Sequence, residues 1–152
     1  MKLSDHFSLE EFTASSAATD LGIDNAPTEA HLQNLRRLAG LMEGVRALFG
    51  VTIQIASAYR NPQVNAAVGG VPNSAHALGH AADFHVAGMD DLDAAKRIRD
   101  SDLAFDQLIH EKGRCVHISF NPRQGETPPG MRRQVLRQPG PPGSQCFADL
   151  EN

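Results

Sequence analysis

The side chains best equipped for chemistry fall in two short stretches. Ser74-Ala75-His76-Ala77-Leu78-Gly79-His80-Ala81-Ala82-Asp83 carries two imidazoles and a carboxylate, and Cys115-Val116-His117-Ile118-Ser119 adds an imidazole, a thiol and a hydroxyl. Two imidazoles with one carboxylate are a common donor set for a catalytic zinc ion, which keeps a further position open for water. His76 and Asp83 stand seven positions apart, so a turn at Gly79 brings them together. On spacing alone the same residues also fit a surface histidine and a capping aspartate.

The elements around these residues are legible from pattern. Ala81 to Val86 reads as a strand. Phe105 to Glu111 and Cys115 to Phe120 are apolar-rich runs joined by Lys112-Gly113-Arg114, which reads as a β-hairpin. In the second run Val116, Ile118 and Phe120 share one face, while Cys115, His117 and Ser119 share the other. The apolar face is expected in the core and the histidine face at a cleft. Upstream, Ser8-Leu9-Glu10-Glu11 forms a capping box that opens a short helix toward Ala18. Thr28 caps a longer helix whose apolar residues, from Leu32 to Phe49, recur every three or four positions, and Gly50 stops it. Val51 to Ala56 reads as a strand, and Asn61-Pro62 opens a helix that Gly69-Gly70 ends. Val71 to Gly79 reads as loop, and Asp90 or Asp91 caps a helix to about Asp100. Residues 121–145 are rich in Pro, Gly, Gln and Arg, with one short strand expected around Gln134-Val135-Leu136. Helices first and strands later predict an α+β fold with a mainly antiparallel sheet and the N-terminal helices packed on one side. Residues 1–137 are expected to form the domain, and 138–152 a flexible Pro/Gly-rich tail.

Composition sets the outer limits. The 152 residues (16.4 kDa) suffice for one domain with its own core. Fourteen basic against eighteen acidic residues leave a net charge of -4, which argues against a nucleic-acid partner. No apolar run approaches the ~20 residues of a membrane span. The start, Met1-Lys2-Leu3-Ser4-Asp5-His6, lacks the apolar stretch of a secretory signal, so synthesis and retention in the cytoplasm are expected. Cys115 and Cys146 have no CxxC partner and fit a reducing compartment. A monomer is expected.

The pattern Ser-x-His-x-x-Gly-x-Ala-x-Asp at 74–83, followed by Val-His-Ile-Ser at 116–119, resembles the zinc D-alanyl-D-alanine carboxypeptidase and phage endolysin peptidase family. Ser57-Ala58-Tyr59-Arg60-Asn61-Pro62, Val64 to Gly70, and Phe105 to Ile109 resemble flanking segments of the same family, so the resemblance covers about residues 5–137. It implies the fold shared with the Hedgehog signalling domain. It implies that His76, Asp83 and His117 hold one Zn2+ per chain. It also implies that Arg60 binds a substrate carboxylate or steadies the developing oxyanion, a task that suits the guanidinium fork.

A zinc hydrolase needs a proton shuttle. Where the family carries an acid, three positions before the last histidine, this chain has Arg114. A three-residue turn at 112–114 puts Glu111 opposite Cys115 on the metal side, whereas a two-residue turn puts His110 there. Glu111 is the expected general base and His110 the runner-up. Ser74, Ser119 and His85 are candidates for touching substrate, and Ser74 also for ordering its loop. Cys115 as a nucleophile with His117 is a weaker option, and His6 and His31 are expected to face solvent.

The resemblance implies a zinc-dependent peptidase acting on peptidoglycan stem peptides, as a D,D-carboxypeptidase or endopeptidase. A phage or prophage lysis enzyme that reaches the wall by a holin-type route fits that reading. The alternative is a non-catalytic zinc-containing module of the same fold that binds cell wall or protein. A third reading is a phage assembly protein.

Overall fold

A computed structural model of the chain describes residues 1–121, 131–138 and 148–149. Helix α1 (Leu9–Thr13) opens on Ser8, whose hydroxyl accepts the Glu11 N–H while the Glu11 carboxylate accepts the Ser8 N–H. It does not run on to Ala18. Ala14 is extended, and the Ser15 hydroxyl accepts the Ala18 N–H to start α2 (Ser16–Leu21). A serine that can bond its own backbone competes with helix continuation, and the helical pattern hid that competition.

Helix α3 (Glu29–Phe49) follows the expected bounds, from a Thr28 cap to a left-handed Gly50 at φ 68°. Next come β1 (Ile53–Ser57), α4 (Pro62–Ala67) capped by Asn61, and the single-turn helix α5 (Ala75–Leu78). That turn lies where a loop was expected, because four residues are too few to show a period. Then follow β2 (Ala81–Val86), α6 (Asp91–Arg99) capped by Asp90, β3 (Gln107–Glu111) and β4 (Cys115–Ser119). Strands β5 (Gln134–Gln138) and β6 (Ala148–Asp149) end the described chain. The Pro/Gly runs at 128–130 and 139–143, Cys146, and most of the tail expected over 138–152 lie outside the described residues.

The strands form one sheet in the order β1-β2-β4-β3-β5-β6. Every neighbouring pair is antiparallel except β3 with β5. The chain is α+β with a mostly antiparallel sheet, as its element order predicts. One core cluster joins Leu35, Leu38, Met42 and Val45 of α3 to Phe84, Leu108, Val116 and Ile118 of the sheet, with Ala94, Ala95 and Ile98 of α6. Each large side chain buried there contributes about 1.5–3 kcal/mol of transfer free energy. Among the described residues, no helix is long and apolar enough to cross a membrane.

Candidate metal centre

Backbone pairing sets the first contact. Strands β2 and β4 lie side by side in a register that puts Asp83 opposite His117. Both side chains project from the face opposite to Phe84, Val116 and Ile118. The third residue arrives on α5. The Ser74 hydroxyl accepts the Ala77 N–H at its start, and Gly79 ends it at φ 82°. That glycine turns the chain back into β2, and the Asn34 amide donates to the Leu78 carbonyl at 2.8 Å to hold the turn against α3.

An irregularity in β1 completes the arrangement. The register of β1 shifts between Ile55 and Ser57, so that Ser57 faces Asp83. Just beyond it the Ala58 carbonyl accepts a hydrogen bond from His76 Nδ1 at 2.7 Å. A carbonyl can only accept, so Nδ1 carries a proton and Nε2 is the ring nitrogen turned toward the site. That Nε2 lies 3.2 Å from Asp83 Oδ1, and His117 Nδ1 lies 2.8 Å from the same oxygen. The two rings meet edge-on, with centroids 5.1 Å apart. All three residues are buried, at 5, 5 and 8% exposure for His76, Asp83 and His117.

The electrostatics follow from burial and proximity. Burial alone would raise the Asp83 carboxyl, but the His76 charge and the His117 hydrogen bond overturn it and hold the carboxyl well below its usual range. Burial would lower His117, and the Asp83 carboxylate beside it raises it instead. The three donor atoms lie within 4.8 Å of one another. An oxygen and two ring nitrogens turned on one point suit a tetrahedral zinc with one position left for water. The Ala58 carbonyl supplies the outer hydrogen bond that orients such an imidazole.

The hairpin turn has three residues, since Glu111 pairs with Cys115 and Ile109 with His117. Glu111 therefore projects on the metal side. Its carboxylate accepts the Cys115 thiol at 3.3 Å, and the donor atoms of Asp83, Glu111 and Cys115 lie within 4.8 Å of one another. His110, the runner-up base, pairs with Val116 and stands on the opposite, apolar face. Burial pushes the Cys115 thiol up, and Asp83 and Glu111 push it further. It stays a neutral thiol, which removes the support for a cysteine nucleophile.

Arg60 sits against the same group. Its backbone N–H donates to the His76 carbonyl at 3.2 Å. Its Nε is buried and has no hydrogen-bond partner among the described residues. Burial lowers its pKa, Arg114 adds to the fall, and Asp83 and Glu111 oppose it.

The Peptidase M15 family model matches residues 5–119, more than half of the chain. The chain belongs to the peptidase M15 family. M15 peptidases are zinc-dependent metallopeptidases, and the matched span contains His76, Asp83, His117, Arg60 and Glu111. A peptide substrate follows from M15 membership. No curated protein matches the chain.

The other candidates are placed as follows in this M15 chain. Ser74 uses its hydroxyl within the fold, accepting from Ala77 and donating to Asn65 Oδ1 at 3.1 Å. Ser119 is buried on the metal-side face of β4, where its hydroxyl accepts the Gln107 N–H at 3.2 Å. His85 turns Nδ1 to the Asp91 carboxylate at 2.9 Å. His6 pairs with Glu43, and His31 is half-buried with Nδ1 2.8 Å from the Tyr59 hydroxyl rather than free in solvent. Residue pattern gave no sign of the Ala58 carbonyl, because a main-chain acceptor leaves no mark in the side-chain sequence. Nor did it show the Asn65 bridge, in which the amide holds the Val71 carbonyl at 2.8 Å and braces the loop before α5.

Proposed function

We propose that the protein is a zinc peptidase that hydrolyses peptidoglycan stem peptides, as a D,D-carboxypeptidase or endopeptidase. The observation that carries this reading is the convergence of His76, Asp83 and His117 beside Glu111. When bound, Zn2+ supplies Lewis acidity to water and to the scissile carbonyl. Glu111 takes the proton of the attacking water and returns it to the leaving amine. Arg60 holds a substrate carboxylate or the developing oxyanion with its unpaired donors. A lysis role in a phage or prophage, reached from the cytoplasm by a holin-type route, extends the same reading. So does a monomer whose N-terminal helices cover the sheet face opposite His117.

The test is metal analysis of the purified protein followed by mass spectrometry of digested muropeptides. About one zinc per chain and a defined cleavage product support the proposal. Zinc uptake with no cleavage of any muropeptide overturns it and favours a zinc-containing wall-binding module, the reading that Arg114 in place of an acid suggests.

A further inference from the structure

Glu111 stands on the metal side at the last pair of the β3–β4 hairpin, directly across from Cys115. A side chain of this length gives up much rotamer freedom when it is held in one place. One of its carboxylate oxygens lies within 4.8 Å of an Asp83 oxygen. Two carboxylates that close repel each other, so an untethered Glu111 would swing toward solvent. Yet its side chain is only 14% exposed.

The tether is a thiol. Cys115 Sγ lies 3.3 Å from Glu111 Oε2, and since a carboxylate only accepts, the thiol donates. Arg114 Nη1 stands 3.7 Å from the same oxygen, outside hydrogen-bond reach. Among the described residues no other side chain donates to this carboxylate, and Oε1 is left without a partner. Cys115 is itself buried, on the strand that carries His117 two positions further on, so the sulfur is fixed relative to the metal ligands. A thiol is a weak donor. It can therefore orient a carboxylate with little loss of the basicity that a strong donor would take away.

We infer that Cys115 is a positioning residue, whose thiol holds Oε2 of Glu111 and so turns Oε1 toward the water that Glu111 deprotonates. This rests on the peptidase reading above and deepens it at the same site.

The experiment compares wild type, Cys115→Ala and Cys115→Ser, each loaded with zinc and analysed for metal content, in turnover of muropeptides. Cys115→Ala is expected to lower kcat about five- to tenfold, as for a weak hydrogen bond to a charged group, with KM and the zinc equivalent unchanged. Cys115→Ser keeps a donor and is expected to stay within about twofold of wild type. A second readout needs no turnover. Subtracting the matching Cys115→Ser infrared spectrum isolates the Cys115 S–H stretch from that of Cys146. That stretch should lie at lower frequency in wild type than in Glu111→Ala. Equal kcat in wild type and Cys115→Ala overturns the inference. So does an equal loss in Cys115→Ala and Cys115→Ser, which packing alone explains. A lowered S–H stretch in a wild type that cleaves no muropeptide upholds the tether and removes the peptidase reading. Cleavage with an S–H stretch indifferent to Glu111→Ala does the reverse.

Discussion

Gly79 is the residue on which the geometry of the triad turns, and replacing it with alanine gives a prediction of calculable size. Gly79 lies at φ +82°, and a Cβ built there would meet the His31 carbonyl oxygen at 3.2 Å, Asn34 Cβ at 3.3 Å and Leu35 Cγ at 3.4 Å. Left-handed backbone costs an L-residue about 1–2 kcal/mol. The nearest neighbour is main chain of α3, which cannot rotate aside, and overpacking of that kind adds about 1–3 kcal/mol. Gly50 is the natural control, with φ +68° and nothing within 4 Å of a Cβ, so Gly50→Ala carries only the backbone strain. Urea denaturation should therefore show Gly79→Ala less stable than Gly50→Ala by about 1 kcal/mol or more. In thermal melts each kcal/mol corresponds to roughly 2–4 °C. Relief of the clash moves α5 and with it His76, so zinc affinity should fall in Gly79→Ala and hold in Gly50→Ala. Equal destabilisation by the two substitutions, with equal zinc affinity, would refute the argument that this turn aims the ligand.

Three further outcomes are expected. His76→Ala and His117→Ala should each lose most of the single zinc equivalent of wild type, read by elemental analysis after dialysis. Glu111→Gln should keep its zinc and lose about 10²- to 10⁴-fold in turnover of muropeptides, and unchanged turnover removes Glu111 from the reaction. In metal-free protein, the lowered Asp83 contributes stability above its ordinary value of 3.8, lost as pH falls through its folded value. The raised His117 contributes below its ordinary value of 6.5, lost as pH rises through its folded value. The pair therefore stabilises most between about pH 4 and 6.5, and urea midpoints should show a maximum there that Asp83→Asn abolishes.

Much of this arrangement is written in residue types with local consequences. Thr28, Asn61 and Gly50 act through their own neighbours, so the helices they bound are legible without the fold. The alternation in Cys115–Phe120 likewise separates core from site before any coordinates exist. The choice between Glu111 and His110 was not legible, because it depends on the length of one turn, and the structure settles which side chain shares the face of His117. The loop at 71–79 concealed a helical turn too short to show a period. The acceptor for His76 is main chain at a strand irregularity, which pairing across the sheet produces and no local pattern announces. His31 looks like a surface residue on α3, yet it is half-buried with its ring against Tyr59, a contact made across the fold.

The register of β2 against β4 has one last consequence. Side chains alternate in direction along a strand, so a slip of one position would leave Asp83 across from Val116 or Ile118 and turn its neighbour's imidazole to the far side. Loading with metal thus reports on strand alignment as well as on chemistry. A refolding mixture titrated with zinc would sort correctly paired molecules from slipped ones, the ion acting as a proofreader of the sheet.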